Sequence, residues 1–168
     1  MWTGSWRRSA VSVRLMSNGE QISFEEYLSE YGTLTYKNKG ISMMPLLRED
    51  EDLFTIEKKG SERCRRYDVV LYRDRQDRYI LHRVIRVLPD GYVIRGDNTY
   101  KNEFRTDDEI IGVMTGLIRD GREIKVTDTG YRVYSVLRTA GYPLRYVCVK
   151  IRHAAGRLLK LIGINDGR

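Results

Sequence analysis

Short strand-like segments that recur between residues 53 and 126 constrain the fold of this chain most strongly. They are rich in β-branched and aromatic residues, and they comprise Leu53–Glu57, Asp68–Tyr72, Tyr79–Val87, Tyr92–Arg95, Ile110–Ile118 and Glu123–Val126. Turn signals separate them, most clearly Pro89-Asp90-Gly91 and Asp120-Gly121. Closely spaced strands joined by tight turns predict a mainly β, antiparallel, barrel-like domain.

Helical patterns flank these strands. Ser23 can cap a short helix that runs to Leu28, with Glu26 at the capping-box position, and the strand Thr33–Tyr36 follows. Helices are also predicted over Tyr131–Thr139 and Leu144–Ile162. The sequence therefore predicts a disordered extension (1–22), a β domain (23–128) and a helical C-terminal segment (129–168).

Charge limits the partners of the chain. The formal net charge of +7 over 168 residues favours an anionic partner, either a membrane surface or a nucleic acid. The C-terminal segment alternates apolar and basic residues, which is typical of helices that bind anionic membranes. Its alternative role is a helix that packs on the β domain with solvated basic side chains. Aromatic residues are scattered and no nucleic-acid-reading motif is present, which disfavours nucleic acid.

Cysteine and histidine positions predict no metal centre and no other cofactor. Cys64, Cys148, His82 and His153 lack the close spacing of a zinc site. The cysteines fit either one disulfide or buried thiols. No run reaches the ~18 apolar residues that a bilayer crossing needs. We therefore expect a cytoplasmic protein, with peripheral contact at the inner face of the membrane.

Ser42 is the candidate nucleophile. It lies in the turn Gly40-Ile41-Ser42-Met43-Met44-Pro45. Glycine permits close approach of a substrate backbone, proline stiffens the exit from the turn, and the two methionines offer adaptable apolar surface for an extended peptide. The turn is thus the predicted substrate-binding segment. A serine needs a nearby base to become nucleophilic, and without one Ser42 is an ordinary turn residue.

His82 and Asp97 are the candidate partners of Ser42. His82 lies between Ile80 and Val84 on one face of a predicted strand, where apolar neighbours keep an imidazole neutral. Asp97 follows the next strand across a hairpin, within reach of His82, where it can fix the tautomer. The alternatives are a hydrogen-bonded core histidine and an ordinary turn aspartate. Three downstream acids compete for the third role: Glu103, Asp107 and Asp108.

These motifs together resemble the superfamily that joins type I signal peptidases with LexA-like self-cleaving repressors. The matching segments are Gly40-x-Ser42-Met43-x-Pro45, Tyr67–Tyr72, His82-Arg83-Val84, Gly96-Asp97-Asn98 and Ile111-Gly112-Val113. They appear in the family's order and cover about residues 34–118. A histidine at position 82 resembles the archaeal and endoplasmic-reticulum branch, because the bacterial signal peptidases and the repressors use lysine there.

The resemblance implies a serine endopeptidase with Ser42, His82 and Asp97 as catalytic residues. It also implies cleavage after small residues, with the peptide or protein substrate bound as an added strand. Two features depart from the signal peptidases. Gly40 replaces a small hydroxyl residue, so the oxyanion would depend on backbone N–H groups such as that of Ser42. We also expect no membrane anchor of the signal-peptidase kind, which would put the usual signal-peptide substrates out of reach.

Two other functions fit the same sequence. The first is a catalytically inactive peptide-binding module that keeps the peptidase fold. The second is a membrane-surface adaptor that acts through the basic C-terminal segment.

Overall fold

The computed structural model describes residues 15–17 and 20–147 of the chain. Two α-helices are present in this part: α1 (Phe24–Tyr31) and α2 (Thr129–Ala140). The strands are β1 (Leu15–Ser17), β2 (Glu20–Ile22), β3 (Thr33–Lys37), β4 (Leu53–Lys58), β5 (Val69–Arg73), β6 (Tyr79–Leu88), β7 (Gly91–Arg95), β8 (Glu103–Arg105), β9 (Ile110–Arg119) and β10 (Arg122–Lys125).

One antiparallel sheet dominates the described residues. Its strand order is β3-β4-β9-β5-β6-β7-β8, and β10 pairs with the second half of β9. Every strand predicted from the sequence is therefore confirmed as a strand of this sheet. Among the described strands β3 and β8 lie at opposite ends of the order, so the sheet is open where the sequence predicts a barrel.

The N-terminal helix begins as its sequence predicts. The Ser23 side chain accepts from the Glu26 N–H at 3.1 Å, while the Glu26 carboxylate accepts from the Ser23 N–H at 2.7 Å. This capping box satisfies two N–H groups that a helix start leaves free. Phe24 and Leu28 are buried against the sheet. Just before the helix, β1 pairs with β2, where the sequence predicts no structure.

Side chains that alternate along β5 divide the core into two apolar clusters. Val69 and Leu71 belong to the first cluster, with α1, β3, β4 and Tyr131 of α2. Val70 and Tyr72 belong to the second cluster, on the other face of the strand. The second cluster contains Cys64, Val70, Tyr72, Val84, Tyr92, Ile94 and Ile110. Because β5 is buried on both faces, successive side chains of its neighbour β6 also lie on opposite sides, one toward each cluster.

The C-terminal helix packs through one stripe of its surface. Tyr131, Ser135 and Thr139 are buried in the protein. Residues 142–147 are again helical, and the remainder of the predicted second helix lies outside the described residues. Within residues 22–147, neither the length nor the apolar content of any helix reaches what a membrane crossing requires.

Candidate active site

Ser42 lies half-buried in the turn that follows β3. The Asn38 side chain holds the start of this turn, because its N–H donates to the Gly40 carbonyl at 2.7 Å. The Met43 side chain is 1% exposed and inserts into the first apolar cluster. Met43 therefore anchors the turn from inside and does not offer the peptide-binding surface that the sequence predicts. Met44, at 36% exposure, is the methionine on the outer side.

A buried aspartate fixes the end of the same turn. The fully buried carboxylate of Asp52 pairs with Arg119 at 2.6 Å and with Arg48 at 2.9 Å. Burial opposes ionisation, but the hydrogen bonds from Arg119 and Arg48 outweigh it and lower the pKa of Asp52 to about 2. Arg119 also donates to the Leu46 carbonyl at 2.8 Å. The turn is thus tied to β9 by charge-assisted bonds.

His82 lies near the middle of β6, with its ring on the side of the second apolar cluster. It is opposite Val70 of that cluster in the β5–β6 register, and it is 4% exposed. Burial lowers the pKa of His82 to about 4, against the opposing effect of the Glu103 charge. The imidazole is therefore neutral at pH 7 and has a lone pair that can accept a proton.

Gly96 separates Ser42 from His82. A Cβ atom built on Gly96 would lie 2.6 Å from the Ser42 carbonyl oxygen and 3.0 Å from His82 Nε2. The Ser42 carbonyl oxygen and His82 Nε2 are therefore no farther apart than the sum of these two distances. Among the described residues neither the Ser42 hydroxyl nor His82 Nε2 has a hydrogen-bond partner. The Ser42 turn and the His82 ring thus both lie against Gly96, and among the described residues no hydrogen bond joins the Ser42 hydroxyl to the ring.

Asn98 fastens the nucleophile turn to the end of β7. Its backbone N–H donates to the Ser42 carbonyl at 2.7 Å, and its side-chain N–H donates to the Ile41 carbonyl at 3.2 Å. In the Gly96-Asp97-Asn98 motif, the glycine leaves room for the Ser42 carbonyl and the His82 ring, and the asparagine holds the turn in place. The sequence did not assign a role to Asn98.

Asp97 is bound by Arg83 and Tyr134, whereas the sequence predicts a contact with His82. Its carboxylate accepts two hydrogen bonds from Arg83, both at 2.8 Å, and one from the Tyr134 hydroxyl at 3.0 Å. Arg83 follows His82 along β6, so its side chain points to the opposite face of the sheet. The predicted hydrogen bond from His82 to Asp97 is absent from the described residues. The aspartate acts on the His82 ring only as a nearby charge.

A tyrosine occupies the position behind His82. The Tyr72 hydroxyl lies 3.1 Å from His82 Nδ1 and donates to the Glu103 carboxylate at 3.0 Å. Arg105 pairs with Glu103 at 3.0 Å. Of the acids that compete in the sequence for the third role, Glu103 is thus connected to the ring through Tyr72. Asp107 instead accepts from Tyr92 and pairs with Lys59.

This arrangement brings together a serine, a neutral histidine and, behind the ring, a hydroxyl and a carboxylate. In the part of the chain that the structure describes, no three potential metal ligands cluster. A hydroxyl and a neutral imidazole are the groups that nucleophilic attack uses, where the imidazole takes the hydroxyl proton. Compared with known proteins, the sequence matches no family profile and no curated protein.

Proposed function

We propose that this chain is a serine endopeptidase of the signal-peptidase-like type, acting on a small protein or precursor peptide. The observation that carries the proposal is the position of Ser42 and His82 Nε2 on either side of Gly96. A neutral, buried imidazole close to the serine turn supports the proposal, because a serine becomes nucleophilic when its hydroxyl comes within hydrogen-bond reach of such a base. The order of the motifs in the resembled superfamily and the antiparallel sheet support the same proposal.

The proposed reaction has two halves, formation of an acyl-enzyme and its hydrolysis, and in each half one proton passes through His82. The Ser42 oxygen attacks the scissile carbonyl carbon while its proton moves to His82 Nε2. The imidazolium then gives that proton to the leaving amine as the C–N bond breaks. A water molecule attacks the acyl-enzyme, passes its proton to His82, and the proton returns to Ser42 as the acid product leaves.

Backbone N–H groups are the proposed donors to the oxyanion. Gly40 offers no hydroxyl there, and among the described residues the N–H groups of Ser42 and Met43 donate to no other atom. Free N–H groups at the nucleophile turn can receive the negative charge of the tetrahedral intermediate. The proposed LexA-like relationship concerns the family and not a closed barrel, since the described sheet is open.

The substrate is proposed to bind as an extended strand. At the edge of the described sheet, β3 leads directly into the nucleophile turn. An extended peptide paired with this edge would pass Ile41 and Met44, which are both 36% exposed. We propose small residues before the cleaved bond, as the resembled superfamily prefers.

Cleavage of a proteome-derived peptide mixture tests this function. Wild-type protein is expected to create new peptide N-termini after small residues, detected by mass spectrometry, and Ser42→Ala is expected to create none. The Ser42 hydroxyl has no partner among the described residues, so its removal should leave the thermal midpoint unchanged. Equal cleavage by both proteins would contradict the proposal. Absence of cleavage by both would favour the inactive peptide-binding module.

A second proposal concerns the outward face of the C-terminal helices. Val133, Val136 and Leu137 are 44–66% exposed, at the spacing of one helix face, and Leu144 is 70% exposed. The sequence continues with Lys150, Arg152, Arg157 and Lys160. Exposed apolar side chains, followed in the sequence by basic residues, fit an anionic membrane surface such as the cytoplasmic leaflet. We propose peripheral binding there, close to the active site.

Vesicle co-sedimentation tests this binding. The double variant Leu137→Gln/Leu144→Gln is expected to bind phosphatidylglycerol-containing vesicles about tenfold more weakly, because two exposed apolar groups no longer insert. Val87→Gln is the control, since Val87 is also exposed but lies on β6. Equal binding by both variants and by wild-type protein would contradict a role for this helix face.

A further inference from the structure

Hydrogen-bond donors and acceptors decide where the His82 proton lies. A carboxylate only accepts hydrogen bonds, and a tyrosine hydroxyl has one proton to donate. The Tyr72 hydroxyl gives that proton to Glu103 at 3.0 Å. Its oxygen therefore presents a lone pair to His82 Nδ1, 3.1 Å away. For this contact to be a hydrogen bond, Nδ1 must hold the proton of the neutral ring, which leaves Nε2 unprotonated.

The unprotonated nitrogen is the one on the Gly96 side of the ring, toward the turn that carries Ser42. His82 Nε2 lies on the side of Gly96 and the Ser42 carbonyl. A base that takes the serine proton needs its lone pair on this side. The opposite tautomer would present an N–H group to Ser42 and could not accept its proton. The direction of the Tyr72 hydrogen bond therefore matters for catalysis.

Burial keeps Tyr72 in its protonated form. The residue is fully buried, and burial together with the negative charge of Glu103 raises the pKa of Tyr72 above its ordinary value. The Arg105 guanidinium lies 4.4 Å from the ring centroid and pairs with Glu103 at 3.0 Å. The hydroxyl of a protonated tyrosine between an imidazole and a paired carboxylate donates to the carboxylate and accepts from the imidazole.

The sheet register places all three side chains on the same face. Tyr72 is opposite Ile80, two residues before His82 on β6, and Glu103 is opposite Ile94 of β7. Ile94 belongs with Tyr72 to the second apolar cluster. Asp97 is bound to Arg83, whose side chain points to the other face. Among the acids of the described residues, Glu103 alone is therefore linked to the His82 ring through hydrogen bonds.

We propose that Tyr72 and Glu103 are positioning residues that hold the His82 proton on Nδ1, with Glu103 acting through the tyrosine hydroxyl. This inference rests on the proposed serine peptidase activity. When His82 takes the Ser42 proton, both ring nitrogens carry protons, and Nδ1 continues to donate to Tyr72. The negative charge of Glu103 then stabilises the imidazolium through the polarised hydroxyl. Asp97 and Arg105 are the other charged groups that act on the ring.

Nitrogen NMR of histidine-labelled full-length protein tests the proposal without requiring catalysis. The chain contains only His82 and His153, so His153→Gln assigns the signals. Wild-type protein is expected to show an unprotonated Nε2 and a protonated Nδ1 at pH 7. Tyr72→Phe removes the acceptor and Glu103→Gln removes the charge while keeping the shape. Each is expected to move the ring toward the opposite tautomer.

The same variants are expected to slow labelling of Ser42 by a fluorophosphonate about tenfold or more, since the base is no longer correctly oriented. The second apolar cluster supplies matched controls: Tyr92 also donates its hydroxyl to a carboxylate, that of Asp107, but has no bond to His82. Tyr92→Phe and Asp107→Asn should change neither the His82 tautomer nor the labelling rate. Proton spectra of the backbone amides verify that each variant is folded.

The outcomes separate this inference from the proposed function. A wild-type ring with the proton on Nε2, or a tautomer that is unchanged in both Tyr72→Phe and Glu103→Gln, overturns the positioning role. A tautomer that responds to Asp97→Asn instead would give the role to Asp97. If the tautomer responds as expected but wild-type Ser42 is never labelled, the hydrogen-bond relay stands and the peptidase proposal fails.

Discussion

Alanine in place of Gly96 is expected to reduce fluorophosphonate labelling of Ser42 at least about 100-fold. The new methyl group would lie 2.6 Å from the Ser42 carbonyl oxygen, 3.0 Å from His82 Nε2 and 3.0 Å from a Thr99 methyl group. The carbonyl is held by the Asn98 N–H at 2.7 Å, so it cannot move without displacing the turn. Displacement of the turn would move Ser42 away from His82. A misplacement of about 1 Å costs about 100-fold in rate.

The control for this variant is Gly60→Ala. A Cβ atom at Gly60 meets no atom within 4 Å, so labelling should match wild type. We expect Gly96→Ala to lose about 1–3 kcal/mol of unfolding free energy, as overpacked sites do. Urea denaturation verifies that most molecules stay folded in the labelling assay. Labelling of Gly96→Ala within threefold of wild type would show that Ser42 and His82 do not depend on this junction.

Alanine in place of Asp97 is expected to lower the free energy of unfolding by about 3–5 kcal/mol. The Arg83 side chain is completely buried, and its ion pair with Asp97 is shielded from water. Burial opposes the charge on Arg83, but the hydrogen bonds with Asp97 outweigh it and raise the pKa of the guanidinium. Removing the aspartate leaves a buried, unpaired cation, which is among the most costly single changes.

The matched control is an exposed ion pair. Glu62 pairs with Arg65 at 3.7 Å, and both side chains are more than four-fifths exposed. Glu62→Ala should change stability by less than about 0.5 kcal/mol. Urea denaturation of the three proteins measures these differences. A loss of less than about 1 kcal/mol in Asp97→Ala would contradict the structural role that the Arg83 pair assigns to this aspartate.

Local patterns were sufficient to predict the strands. Alternating apolar residues placed β4, β5, β6 and β9 within a residue or two of their observed bounds. The capping box located the first helix. Ser42 and His82 are predicted as site residues because each lies in a short motif with its own chemical signature. None of these inferences required knowledge of which strands pair.

The third group at the site depends on strand pairing, which local patterns do not reveal. The sequence favours Asp97 because it follows the neighbouring strand, but in the structure its carboxylate pairs with Arg83 on the other face of the sheet. Glu103 lies on β8, a strand of three residues with two charges and an exposed Phe104, which no apolar alternation reveals. The turn before Tyr79 could have indicated the role of Tyr72. A hairpin at this turn places Tyr72 opposite Ile80 and thus diagonal to His82.

The closure of the sheet also depends on long-range geometry. The spacing of strands and turns is the same in an open sheet and in a barrel. In the structure β9 pairs along one edge with β4 and along the other with β5 and then β10, while β3 and β8 do not pair with each other. This arrangement leaves β3 and β8 as separate edges of the described sheet. The β3 edge matters for function, because it is the proposed binding site for an extended substrate.

Covalent labelling of the full-length protein by a fluorophosphonate, mapped by mass spectrometry, tests the central claim most directly. The Ser42 oxygen should displace fluoride and form a bond to phosphorus, so the mass of the adduct should appear on the peptide that contains Ser42. His82→Gln should lose this label at least about 100-fold because no base takes the serine proton. Labelling confined to other residues, or equal labelling of Ser42 in wild-type protein and His82→Gln, would contradict a Ser42–His82 peptidase.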